Sequence, residues 1–221
     1  MLEDLEKLKT AAEQGLAGAQ LNLALMYDYG RGVTEDDAEA VRWYRKAAEQ
    51  GHASAQLNLG NMYYFGEGVT RDYADAVKWY RKSAEQGNAA AQYNLGVMYE
   101  LGQGVSKDYA DAVKWYRKAA EQGVAEAQWK LGLMCHGGDG VSQDFAEAVY
   151  WYRKAAEQGD AEAQWLLGYM YDEGEGVAPN LAEAIKWCSK AAEQGHEGAK
   201  FDLAVMSGDG WSVTQDEMIS V

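Results

Sequence analysis

An unbroken internal repeat constrains this chain more than any other feature. The tetrapeptide Ala-Glu-Gln-Gly begins at Ala12 and recurs every 36 residues, with its last copy at Ala192. No insertion or deletion interrupts that register. A period of this length suits one helix–turn–helix unit, because two helices of about a dozen residues and two short turns fill about 34 to 40 residues. The sequence therefore predicts an all-α fold of tandem antiparallel helix hairpins.

Each repeat contains two helical patterns, which we call helix A and helix B. In the third repeat, Ala91, Leu95 and Met98 follow one another at spacings of four and three, which places them on one face of helix A. Trp115 and Ala119 continue the same spacing on helix B. The repeat thus predicts two amphipathic helices that pack against each other.

Turn residues mark the ends of these helices. Gly102 and Gly104 follow helix A, where glycine can adopt the left-handed conformation that ends a helix. An aspartate precedes most copies of helix B, with an acidic residue three positions later, as is typical of a helix start. These aspartates are Asp36, Asp72, Asp108 and Asp144. Pro179, the only proline, occupies the corresponding loop of the fifth repeat, directly before Asn180.

We expect one solenoid domain, residues 1–221, without a linker. Residues 1–11 resemble the end of a helix B and predict an N-terminal half-repeat cap. The sixth repeat, 192–221, is degenerate, since Ser207 and Ser212 replace the usual Tyr and Gly. The five full repeats between them are 12–47, 48–83, 84–119, 120–155 and 156–191.

The complete repeat resembles a known family. The stretch from Ala91 to Gly123 contains Ala-x-x-x-Leu-Gly-x-x-Tyr-x-x-Gly-x-Gly-Val and then Asp-x-x-x-Ala-x-x-Trp-Tyr-x-Lys-Ala-Ala-x-Gln-Gly. This pattern is similar to the Sel-one-like repeat (SLR), a relative of the tetratricopeptide repeat. The resemblance implies a right-handed superhelix (an α-solenoid) and a role as an adaptor or scaffold, often in bacteria. Some cysteine-rich relatives are linked to penicillin binding or β-lactam hydrolysis.

Composition limits the partners and the compartment. The formal net charge of −15 argues against nucleic acid as a partner, because neutralisation of phosphates dominates such binding. No window approaches the length of a membrane span, and the N-terminus lacks the basic and apolar stretches of a secretory signal. We expect a reduced, cytoplasmic setting, although a trimmed secreted form is an alternative. We also expect a monomer or weak homodimer.

Catalytic and metal-binding motifs are absent from the sequence. The three histidines form no His-x-x-x-His pair, and the two cysteines form no Cys-x-x-Cys, so we expect no metal, no cofactor and no enzyme activity. Cys135 and His136 are adjacent, but neighbouring residues on a helix point about 100° apart, which disfavours a nucleophile–base pair. Hydrolysis of an acyl substrate through Cys135 remains the alternative function, and self-assembly is a third possibility.

Positions that recur in the repeats are expected to stabilise the fold, whereas positions that vary between repeats are free to contact a partner. Met98 and Trp115 have counterparts in nearly every repeat, and we interpret both as core residues. Three variable positions lie on one stripe of helix A, on the face expected to be concave, and are rich in aromatic and acidic residues. Tyr and Trp are common binding hot spots, and aromatics beside carboxylates suit a partner with basic and apolar side chains. An alternative is that some rings pack between repeats. The predicted partner-binding residues are Leu57, Asn61, Tyr64, Tyr93, Val97, Glu100, Trp129, Leu133, His136, Trp165, Tyr169 and Asp172.

Overall fold

A computed structural model describes residues 2–207, and this part of the chain consists of twelve α-helices joined by turns, without a strand. The all-α fold of helix hairpins, of the solenoid class, is confirmed. Among the described residues, none of the helices has both the length and the apolar character needed to cross a bilayer. The helices are α1 (Leu2–Glu13), α2 (Ala17–Asp28), α3 (Asp37–Glu49), α4 (Ala53–Phe65), α5 (Tyr73–Glu85), α6 (Ala89–Leu101), α7 (Tyr109–Glu121), α8 (Ala125–Gly137), α9 (Phe145–Glu157), α10 (Ala161–Glu173), α11 (Leu181–Glu193) and α12 (Glu197–Met206).

The chain divides into two compact units, Met1–Lys118 and Ala119–Val221, which we call unit 1 and unit 2. Even-numbered helices correspond to helix A of the repeat and odd-numbered helices to helix B. The predicted domain and repeat boundaries stay a prediction. The degenerate second half of the sixth repeat, including Ser212, lies outside the described residues.

Helix B begins where the sequence predicts. The Asp36 carboxylate accepts a hydrogen bond from the Glu39 backbone N–H at 3.0 Å. The same cap recurs at Asp72, Asp108 and Asp144. An acceptor at this position satisfies one of the backbone donors that a helix start leaves unpaired. The fifth helix B cap among the described residues, at the start of α11, uses Asn180 in the same way.

Two glycines lie in the turn between helix A and helix B, and glycine is required at each position for a different structural reason. Gly66 ends α4 in the left-handed conformation, with φ of 80°. Gly68 also has a positive φ, and a Cβ there would lie 2.2 Å from the carbonyl oxygen of Asp37. Gly68 therefore lets the loop approach the start of α3, the helix B of the preceding repeat.

The recurring methionine and tryptophan positions form the core, as predicted. Met98 is fully buried and Trp43 is 4% exposed, and their counterparts resemble them in the other full repeats, except that Met26 is half-buried. The two cysteines, Cys135 and Cys188, are also fully buried, in place of a tyrosine that the equivalent positions carry in other repeats. Core burial at fixed positions supplies most of the stability of a stacked repeat.

A ladder of glutamines links consecutive repeats within each unit. In unit 1, Gln56 is 4% exposed and donates to the Ala48 carbonyl at 3.0 Å. Its own side-chain oxygen accepts from Gln86 Nε2 at 2.7 Å. The same bond joins Gln50 to Gln20 in unit 1, and Gln158 to Gln128 and Gln194 to Gln164 in unit 2. Each buried amide is thus satisfied on both atoms, as burial demands.

Candidate partner-binding site

Unit 1 contains a cavity of about 370 Å³ between helices α4, α5 and α6, which we call the aromatic cavity. Four of the six residues predicted for this unit line it together. The complete lining is Asn61, Tyr64, Phe65, Tyr80, Tyr93, Asn94, Val97 and Met98. The stripe spacing of four and three along helix A places these side chains on one face, and stacking of α4 beside α6 brings the two stripes together.

Aromatic rings form the walls of this cavity. The Tyr64 ring meets the Phe65 ring edge-on, with centroids 4.9 Å apart and an interplanar angle of 88°. The Tyr93 ring lies 5.8 Å from that of Tyr116. Phe65 is 61% exposed, which is unusual for so large an apolar side chain. The walls can therefore take up an apolar side chain from a partner.

A polar group, the Asn61 amide, lines the aromatic cavity. Asn61 Oδ1 accepts from Tyr80 Oη at 2.9 Å and from Asn94 Nδ2 at 3.3 Å. Burial raises the pKa of Tyr80 far above its ordinary value, so its hydroxyl stays a neutral donor. Among the described residues, Asn61 Nδ2 has no acceptor. Asn61 thus offers amide hydrogens to a bound carbonyl group.

A second cavity of about 380 Å³, which we call the acidic cavity, adjoins the first in unit 1. Asn61 and Phe65 line both cavities. No basic side chain is among the described residues that line it. Its lining is Asp28, Tyr29, Glu35, Asp37, Asn58, Asn61, Met62, Phe65 and Glu67. The Asp28 carboxylate accepts from Tyr44 Oη at 2.7 Å, which fixes its position.

Sequence reasoning missed the acidic cavity and one wall of the aromatic cavity. Glu35 and Asp37 precede or begin α3, and Glu67 lies in the turn after α4, so none of them falls on the helix-A stripe. Phe65 comes directly before a turn glycine, at a position that varies between repeats. That variation, together with the large apolar side chain, is the sequence feature that could have indicated it.

The two other residues predicted in unit 1 lie apart from the cavity lining. Leu57 is half-buried on α4. Glu100 accepts a hydrogen bond from Tyr116 Oη, so its carboxylate is engaged within the repeat. This bond also raises the pKa of Tyr116 above its ordinary value, after the larger effect of burial.

Unit 2 brings fewer of its predicted residues together. Tyr169 and Asp172 line a cavity of about 210 Å³ with residues of α12, among them Phe201 and Asp202. Trp165 does not line it, because its Nε1 donates to Asp202 Oδ2 at 2.6 Å and its ring lies 4.9 Å from that of His196. Packing between repeats, the alternative considered for the predicted rings, therefore describes Trp165.

The remaining predicted residues of unit 2 lie on α8. Leu133 is exposed, whereas Trp129 and His136 are half-buried. The Nε2 atom of His136 lies 3.0 Å from Glu175 Oε2, in the turn after α10. Trp129 Nε1 is buried without a hydrogen-bond partner. These three side chains line none of the cavities described above.

Two observations bear on metal binding and on the hydrolase alternative. No group of three or more His, Cys, Asp or Glu side chains among residues 2–207 is arranged to hold a metal ion. Cys135 is fully buried, and its neighbour His136 is directed to Glu175. An acyl substrate in solution does not reach a fully buried thiol.

Solved structures of similar proteins share this fold. A protective antigen present in uropathogenic Escherichia coli strains, which displays an SLR fold, is 48% identical, with a TM-score of 0.88. The match covers 91% of this chain and 43% of that chain, so the present chain spans less than half of that protein. A Sel1 repeat protein from Oxalobacter formigenes is 40% identical, with a TM-score of 0.82, over 86% of this chain and 79% of that one.

A more distant likeness supports the fold alone. A Sel1 repeat protein of Klebsiella pneumoniae subsp. pneumoniae is 24% identical, with a TM-score of 0.53, over 91% of this chain and 98% of that one. No curated protein matches the chain.

The family model of the Sel1 repeat matches five consecutive segments, 17–52, 53–88, 89–124, 125–160 and 161–196. Each segment begins at a helix A, and together they cover most of the sequence, so the chain belongs to the Sel1 repeat family.

Proposed function

We propose that this chain binds a partner protein or peptide on the exposed faces of its A helices, and that the partner contributes basic and apolar side chains. Sel1 repeat proteins are in general protein-interaction scaffolds. The single observation that carries the finer proposal is the aromatic cavity of unit 1, where four predicted residues meet around about 370 Å³ of space. The binding chemistry is burial of an apolar side chain against aromatic rings.

Electrostatics support the basic character of the partner. The net charge is −15, and the acidic cavity adjoins the aromatic one. An excess of negative charge attracts a basic partner over distances of about 10 Å at ordinary ionic strength. The same charge disfavours nucleic acid, which we propose is not a partner.

Substitution of the cavity walls tests the proposal. In a Tyr64→Ala/Tyr93→Ala variant, affinity for a captured partner should fall about tenfold or more, because truncation of an aromatic hot spot costs about 2 kcal/mol or more. Affinity is measured by titration calorimetry, and folding is checked by circular dichroism. Tyr150→Ala is the matched control, because Tyr150 is a 52% exposed tyrosine on α9, away from the helix-A stripe. Unchanged affinity of the folded double variant contradicts the proposal.

We further propose that the chain is not an enzyme and is a monomer or weak homodimer in a cytoplasmic setting. The hydrolase alternative has no observation in its favour, since the thiol of Cys135 is buried. Turnover of an acyl ester that disappears in a Cys135→Ala variant would overturn the first part. Light scattering on the intact chain checks the oligomeric state.

A further inference from the structure

The two cavities of unit 1 are separated by a shared wall. Asn61 and Phe65 belong to the lining of both, so one layer of side chains divides a mainly aromatic space from an acidic one. Both residues lie on α4, four positions apart, and thus on the same face of that helix. A single bound segment that crosses this face can place one side chain on each side of the wall.

The side chains that line the two cavities differ in chemistry. Tyr64, Tyr93 and Val97 provide apolar surface in the aromatic cavity. The acidic cavity carries the carboxylates of Asp28, Glu35, Asp37 and Glu67, of which Glu35 and Glu67 are exposed and the other two half-buried. Among the residues that line these cavities, none is a lysine or arginine. The pair is therefore complementary to an apolar group next to a cation.

We propose that the occupant is an extended segment of a partner protein in which an apolar side chain and a Lys or Arg side chain are two residues apart. In an extended chain, residues i and i+2 project to the same side and lie about 7 Å from each other. The apolar side chain fills the aromatic cavity, and the cation lies among the carboxylates across the wall. This inference rests on the proposed function and specifies the partner.

The Asn61 amide in the shared wall favours a partner segment with an extended backbone. Asn61 Oδ1 is occupied by Tyr80 and Asn94, which leaves the Nδ2 hydrogens to donate. A backbone carbonyl between the two anchored side chains is an acceptor for them. An extended segment has such carbonyls free, whereas a helix uses its own carbonyls internally.

A peptide series tests the spacing. Synthetic twelve-residue peptides carry Phe at one position and a single Lys one, two, three or four residues away, with Ala in place of Lys as reference. Binding to the full chain is measured by fluorescence anisotropy. The peptide with Lys two residues away should bind about tenfold more tightly than the Ala reference, as a charge-assisted contact provides. Strongest binding at a spacing of three or four indicates a helical segment and overturns the inference.

Paired variants separate the two parts of the site. Glu35→Gln/Glu67→Gln should abolish the preference for Lys and leave binding of the Ala reference within about twofold. Glu49→Gln/Glu85→Gln is the matched control, since it removes the same charge from exposed, equivalent positions near the ends of α3 and α5. If the control abolishes the preference equally, the effect comes from overall charge and the inference is wrong.

The outcomes distinguish this inference from the proposed function. Binding that depends on Tyr93 but shows no preference for Lys overturns the inference and leaves the proposed function intact. Absence of binding by every peptide, or binding unaffected by Tyr64→Ala/Tyr93→Ala, overturns both.

Discussion

At the scale of single residues, the repeats act as internal controls for one another. A buried tyrosine of helix B occurs in four repeats, and its hydroxyl has a different partner in three of them and no hydrogen-bond partner in the fourth. Tyr44 donates to Asp28 and Tyr80 to Asn61, whereas Tyr152 has no partner. The residue that corresponds to Asp28 in that repeat is His136, which pairs with Glu175 instead. The sequence difference therefore leaves one buried hydroxyl unsatisfied.

The unsatisfied hydroxyl gives a prediction for stability. Tyr152→Phe should leave the free energy of unfolding unchanged or raise it by up to about 1 kcal/mol, because it removes a buried polar group without a partner. Tyr44→Phe should lower it by about 1 kcal/mol or more, because it breaks a 2.7 Å hydrogen bond to Asp28. Denaturant unfolding followed by circular dichroism measures both. Equal losses in the two variants would mean that Tyr152 has a solvent partner.

At the scale of the helix and its turn, the ends of the helices were predictable from the sequence, whereas the contacts between stacked repeats were not. The caps at Asp36 and its equivalents and the glycine end of helix A follow from local chemistry, so they were predictable from spacing alone. The role of Gly68 in contact with the preceding helix B is not local, because it depends on how two repeats stack. For the same reason the glutamine ladder was missed, although Gln56 recurs with the repeat.

Two glycine substitutions separate conformation from contact. Gly87→Ala should cost about 1 to 2 kcal/mol, since its φ is 92° but no atom lies within 4 Å of the added Cβ. Gly68→Ala should cost at least about 2 kcal/mol more, because its Cβ would also overlap the backbone of Asp37. Thermal and denaturant unfolding check the order. Equal costs contradict the proposed close approach.

At the scale of the whole molecule, the otherwise apolar core contains ionisable tyrosine and cysteine side chains that stay neutral. Burial raises the pKa of Tyr44, Tyr80, Tyr116 and Tyr152 above their ordinary value, with Asp28 and Glu100 adding to the effect for the first and third. Burial likewise raises the pKa of the Cys188 thiol to about 11, followed by the effects of Asp202 and Asp172. The folded chain therefore holds protons that the unfolded chain releases at lower pH.

This difference predicts alkaline instability. Stability is fully present below the unfolded pKa values of about 8.5 for Cys and 10 for Tyr, and it should fall as pH rises from there towards and past the folded values. Denaturant unfolding between pH 7 and pH 11 should show a progressive loss above about pH 9. High salt should not restore the loss, because salt screens surface repulsion rather than burial. A flat profile up to pH 11 contradicts the prediction.

The candidate site shows the limit of sequence reasoning at this scale. Internal comparison predicted Asn61, Tyr64, Tyr93 and Val97 as binding residues, because variation against a fixed repeat indicates which positions the fold leaves free, and these four side chains line one cavity. It could not identify the acidic cavity, because Asp28, Glu35 and Asp37 come from the end of α2, the following loop and the start of α3, and only stacking of the next repeat brings Glu67 to them. Trp165 is also a predicted binding residue, and its ring packs against His196 of the next repeat, so its role in binding stays a prediction.

The glutamine ladder has a consequence for how such a chain can change in length. Within each unit, every hydrogen bond of the ladder has its acceptor glutamine in one repeat and its donor glutamine in the next repeat. Since the five repeats between residues 12 and 191 carry both glutamines at the same spacing, duplication or loss of a 36-residue block there places a donor glutamine beside an acceptor glutamine again, whereas the sixth repeat has Lys200 in place of the acceptor. Unequal recombination between copies of the gene segment can therefore lengthen or shorten the binding surface without creating an unpaired buried amide.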